Sequence, residues 1–167
     1  MIEGRREPAC PHDRGREAVY AAEDAAFGGT DLEDRRPLGE LRARATTVVD
    51  GDWWTRAGGR PVDVIAARAD ARASTARGRG RGAVIRLADA QLDTATIAHE
   101  LAHVLAGIDR GHGELFRAAH VDVVAVLSGS GAAGSLAESY RAFGLTVGPR
   151  TWPPPVRGLG DAFVIVP

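Results

Sequence analysis

Three of the five histidines fall between residues 99 and 112, and their spacing suits metal chemistry. His99-Glu100-Leu101-Ala102-His103 reads H-E-x-x-H. On a helix, residues four apart lie one above the other on the same face, so the two imidazoles could reach one ion together. Glu100 sits one position round, where its carboxylate could lean over the ion, hydrogen-bond a water and take its proton. Zinc needs a third protein ligand and, for catalysis, a fourth place left open. His112 is the best candidate, because Gly107 and Gly111 let the chain turn back between it and His103. Three neutral histidines leave the ion its full charge, enough to bring the pKa of a bound water to about 7.

The element that must position this motif is a helix from Thr94 to Ala106, with Asp93 as N-cap and Gly107 as its stop. At about 100° per residue, Ile97, Leu101, Val104 and Ile108 share one narrow face. His99 and His103 lie roughly opposite, beside Ala95, Ala98, Ala102 and Ala106. The split describes a helix with one core face and one working face. A second helix is expected from Gly113 to Leu127, broken by Gly129, Gly131 and Gly134, and a third from Ser135 to Phe143.

Ahead of the motif, residues 12–27 have helical spacing through Val19, Ala22, Ala26 and Phe27, and Gly28-Gly29 ends the run. Residues 41–49 suggest a weak strand, clearest at Thr46-Thr47-Val48-Val49. Gly51-Asp52 and Gly58-Gly59 read as turns. Strands are expected at 61–67 and 83–88, joined as a hairpin with a long basic tip that ends Arg77-Gly78-Arg79-Gly80-Arg81-Gly82. Trp152-Pro153-Pro154-Pro155 is a stiff extended segment, and residues 162–166 suggest a last strand. Strands first and helices later indicate an α+β fold with a small mixed or antiparallel sheet.

The length of 167 residues suits one domain, expected over 12–167 behind a tail of residues 1–11. The opening Ile2-Glu3-Gly4-Arg5 matches a protease-cleavage linker and carries no weight in the fold. A net charge of −1 gives no general attraction to nucleic acid or to anionic membranes. All 21 basic residues are arginine. Cys10 is the only cysteine, which excludes an internal disulfide and a cysteine zinc ribbon. Without a signal-like or membrane-spanning apolar run, the expected compartment is the cytoplasm.

Residues 99–116, from His99-Glu100-Leu101-Ala102-His103 to His112-Gly113-Glu114-Leu115-Phe116, resemble the SprT-like group of zincin-like metalloproteases, whose signature is H-E-x-x-H followed by H-G-x-x-F. The stretch from Arg14 to Phe27, with Val19-Tyr20 and Glu23, resembles an actinobacterial family of metallohydrolases. The resemblance implies a zincin-like fold and one zinc ion held by His99, His103 and His112. It implies Glu100 as general base, and a strand at 83–87 bordering the cleft where an extended substrate pairs. The expected function is a zinc metallopeptidase acting on peptide or protein. A zinc hydrolase of another amide and a non-catalytic, zinc-stabilised binding domain are the alternatives. The absent zinc ribbon argues against a nucleic-acid partner.

Other residues carry weaker signals. Glu138 is a substitute ligand ranked below His112. His120, Asp109, Asp122 and Glu138 are candidates to orient a ligand imidazole from behind. Tyr140 or an arginine could stabilise an oxyanion. Trp53-Trp54 reads more as core packing than as a cleft wall. The arginines at 68, 72, 77, 79, 81 and 86 read more as a solvated loop than as a phosphate contact.

Overall fold

A computed structural model describes residue 13 and residues 15–155. Among these, the chain runs α1 (Arg16–Phe27), α2 (Leu38–Val49), α3 (Asp52–Arg56), β1 (Val62–Ala66), β2 (Thr75–Arg79), β3 (Gly82–Leu87), α4 (Thr94–Ala106) and α5 (Glu114–Ala142). Single 3-10 turns at Asp89–Gln91 and Ile108–Arg110 lead into and out of α4. The architecture is mixed α+β, with five helices and a small three-stranded mixed sheet. The amino-terminal tail with Cys10, His12 and the strand expected at 162–166 lie outside the described residues.

The sheet order is β1-β3-β2. β1 runs parallel to β3, with Val62 opposite Ala83 and Ala66 opposite Leu87. β2 runs antiparallel to β3, with Thr75 opposite Arg86 and Arg79 opposite Gly82. This corrects the expected hairpin between 61–67 and 83–88. The hairpin is β2–β3, turning at Gly80-Arg81, and the basic stretch is partly a strand rather than a free tip. Thr75-Ala76-Arg77-Gly78-Arg79 has little strand propensity of its own, and it is strand because β3 offers it a free edge. β3 itself is central and largely buried, as its apolar run Ala83-Val84-Ile85 suggests.

Residues 38–49 form helix α2, not the strand expected at 41–49. Leu41, Ala45 and Val48 recur at helical spacing and are buried. The β-branched residues that suggested a strand fill only the last turn, where Thr47 Oγ1 donates to the Ala43 carbonyl at 3.1 Å. Gly51-Asp52 opens the short helix α3 rather than a simple turn. Helix α5 continues through Gly131 and Gly134, and only Gly129, at φ 89 and ψ 172, departs from helical geometry. The break between the two expected helices therefore falls at Gly129 alone, as a kink, and the second of them begins ahead of Ser135.

Helix α4 has the expected bounds. Asp93 Oδ1 accepts from the Thr96 amide at 2.7 Å, and the chain leaves the helix at Gly107 with φ 110, a conformation that favours glycine. β2 and β3 pack against α4, α5 runs alongside it, and α1 lies against α5. Ile97, Leu101 and Val104 are buried, and so are Ala98, Ala102 and Ala106. The working face is not open to solvent either, since His99 and Glu100 are 5% and 7% exposed. No described helix is long and apolar enough to cross a membrane.

Candidate metal centre

Helix α4 supplies His99 and His103, and the loop before α5 supplies His112. Their Nε2 atoms form a near-equilateral triangle, 3.2 Å between 99 and 103, 3.3 Å between 103 and 112, and 3.1 Å between 99 and 112. Taken alone, those distances would suit hydrogen bonds. The far sides of the rings argue otherwise. His99 Nδ1 lies 2.8 Å from Glu23 Oε1, and His112 Nδ1 lies 2.6 Å from Asp13 Oδ1. Despite its partial burial, Asp13 is held below the usual carboxylate range by His112. An ionised carboxylate only accepts, so in a neutral ring His112 Nδ1 carries the proton and Nε2 presents its lone pair; the same follows for His99 where Glu23 is ionised. Lone pairs converging at this distance repel unless a cation lies among them. A tetrahedral zinc with nitrogens at about 2.0–2.1 Å sets those nitrogens about 3.3–3.4 Å apart, close to the triangle found here. The three histidines therefore fit a divalent ion.

The surroundings hold the rings in their neutral form. Burial lowers His99 to about 3, and it lowers His103 to about 3 with the neighbouring histidines adding to the effect. Burial lowers His112 as well, against the opposing pull of Asp13. Burial raises Glu23 to about 8 and Glu100 to about 7. In Glu100 the Ala76 backbone amide of β2 works against that rise, and the Glu23 charge adds to it. A buried carboxyl with a pKa near neutrality is suited to general-base work.

Several neighbours fix the arrangement. Phe116, in the first turn of α5, backs all three imidazoles, with ring centroids 4.9, 4.4 and 4.8 Å from His99, His103 and His112. Tyr20 of α1 stacks on His99 at 5.4 Å, and the Arg16 guanidinium lies over the Tyr20 ring. Buried Arg117 donates to the carbonyls of His112 and Thr146, each at 2.7 Å, which pins the His112 loop to the segment after α5. His103 Nδ1 is buried and has no hydrogen-bond partner among the described residues.

Sequence reasoning missed the two carboxylates behind the imidazoles. Asp109 and Glu138 are exposed, and neither belongs to the histidine cluster. Asp122 is buried but is committed to Arg150 at 2.7 and 2.8 Å and to Trp152 Nε1 at 2.9 Å. Glu23 and Asp13, rather than these, meet the Nδ1 atoms of His99 and His112. Glu23 did leave a signal, for it occupies an apolar-stripe position between Ala22 and Ala26 of α1. Asp13 left none. His120 is fully buried, bonded through Nδ1 to the Tyr140 hydroxyl at 2.7 Å and 3.5 Å from Glu23. Tyr140 is thus turned towards the core and is no oxyanion group. Trp53 and Trp54 are core residues, donating to the carbonyls of Pro153 at 2.9 Å and Arg60 at 2.8 Å.

The fold and the site together define a mixed α+β protein with a cluster of three histidines and one buried carboxyl. The chain matches no protein-family model and no curated protein.

Proposed function

We propose that this chain is a zinc-dependent hydrolase of the zincin-like, SprT-like kind that cleaves peptide bonds. One zinc ion would be held by His99, His103 and His112. The observation that carries the reading is the convergence of three Nε2 atoms within 3.3 Å of one another while two carboxylates take the opposite ring nitrogens. A site built only for stability has no use for a buried glutamate beside it, and Glu100 is such a residue.

Zinc bound there would supply a Lewis acid for the scissile carbonyl and would lower the pKa of water towards neutrality. Glu100 takes a proton from the attacking water and then delivers it to the leaving amine. The Ala76 backbone amide of β2 favours the ionised form of Glu100. Glu23 and Asp13 keep His99 and His112 in the tautomer that presents Nε2. Tyr20 and Phe116 exclude water from two sides of the rings.

The Glu100→Gln variant tests this. It should retain one equivalent of zinc and lose peptide hydrolysis by at least about a hundredfold, the usual contribution of a positioned acid–base group. Metal analysis and a peptide-cleavage assay on the same preparations read both effects. Full activity in that variant would refute the role of Glu100, and wild-type protein that takes up no zinc would refute the site.

A further inference from the structure

Strand β2 and helix α4 run alongside each other through the site, and their two ends are lined by opposite charges. At the start of both, a cavity of about 250 Å³ includes Ser74, Thr96, His99 and Glu100, with Glu23, Asp24, Glu33 and Asp93 as further acids and Arg16 as its one base. At the far end, a cavity of about 420 Å³ lies between Arg77-Gly78 of β2 and the Gly107–Arg110 turn after α4. Its charged lining is Arg60, Arg77 and Arg110 against the single carboxylate of Asp109. Among the described residues none of these three arginines forms an ion pair. The space over Gly78 is open, and the Arg110 side chain lies across Gly107.

This cavity lies on β2 and at the carboxyl-terminal end of α4, the helix that carries His99 and His103. Arg77 lies on β2, which packs beside α4, and a strand advances about 3.3 Å per residue. Gly107 donates to the His103 carbonyl at 3.0 Å. We propose that the three arginines form a specificity pocket for an anionic carboxylate of the substrate, an acidic side chain or a free chain terminus close to the scissile bond. The inference rests on the peptidase reading of the same site. Guanidinium groups suit carboxylates through paired N–H donors. Phosphates would suit them equally, but a nucleic acid following the cleft would meet the acids at its other end. A peptide bearing one carboxylate would not.

The test is cleavage of a peptide library in which each position is acidic, neutral or basic, with free-acid and amidated termini, by zinc-loaded wild type and the Arg77→Glu/Arg110→Glu variant. Both arginines are exposed, and zinc content together with circular dichroism reports that the variant is folded. The wild type should prefer an acidic group at one fixed distance from the cleaved bond by about tenfold or more in kcat/KM, and the variant should lose or invert that preference. Loss of the preference on amidation assigns the carboxylate to a terminus, and its persistence assigns it to a side chain. Cleavage indifferent to charge, or a preference that survives the double reversal, overturns the pocket alone. Absence of any cleavage overturns the peptidase reading and the pocket with it. Single-stranded DNA binding that the variant loses, without a peptide charge preference, would reassign the arginines to phosphate.

Discussion

Glu23 stands where helix α1 would otherwise bury an apolar side chain, between Val19 and Ala22 on one side and Ala26 and Phe27 on the other. Burying a carboxyl there is costly, which is why burial raises it to about 8. The offsetting contact is its hydrogen bond to His99. Glu23→Ala removes that partner and leaves His99 free to turn or change tautomer. Zinc affinity should then fall by about 10–100-fold, the usual effect of losing a group that orients a ligand. His112→Ala would remove one of the three proposed ligands and should weaken binding further. Competition against a chromophoric chelator ranks both variants, and an affinity unchanged by Glu23→Ala would leave the carboxylate without its orienting role.

At the scale of elements, α5 shows how similar residues do different work. Gly129 has φ 89 and ψ 172, a region nearly closed to residues with a Cβ. Gly134 sits in helical conformation, and a Cβ added there meets nothing within 4 Å. Gly129→Ala should therefore cost about 1–3 kcal/mol through backbone strain. Gly134→Ala should stabilise by about 0.5–1 kcal/mol by removing chain entropy from the unfolded state. Chemical denaturation of the two variants checks the signs, and equal effects would mean that the kink at Gly129 is absent in solution. The kink matters because Tyr140, which bonds to His120 behind the histidine cluster, lies beyond it on the same helix.

For the whole molecule, the candidate site ties distant parts of the chain together. Asp13 lies ahead of α1, Glu23 within α1, His99 and His103 on α4, and His112 at the entry to α5. A metal bound by these residues would favour the folded state over the unfolded one by mass action, by about 2.7 kcal/mol at a free concentration one hundred times Kd. Thermal denaturation should show a lower Tm after chelation and a rise on adding zinc that grows with its concentration. A Tm indifferent to both would show that no ion is held in the folded state.

Helix α4 and its histidines were legible in the sequence because the relevant interactions are local. An N-cap aspartate, a glycine stop and ligands four residues apart depend on positions within a few turns of one another. The convergence of His112 was suggested by Gly107 and Gly111, but its geometry depends on Arg117, Phe116 and Asp13. Strand β2, helix α2 and the carboxylates behind the imidazoles were decided by tertiary structure. A weak strand former becomes a strand when a neighbouring edge accepts it, and a β-branched run stays helical when its apolar stripe faces the core. A carboxylate finds its histidine only once α1 has docked, because separations of 76 and 99 residues along the chain leave no periodicity to read.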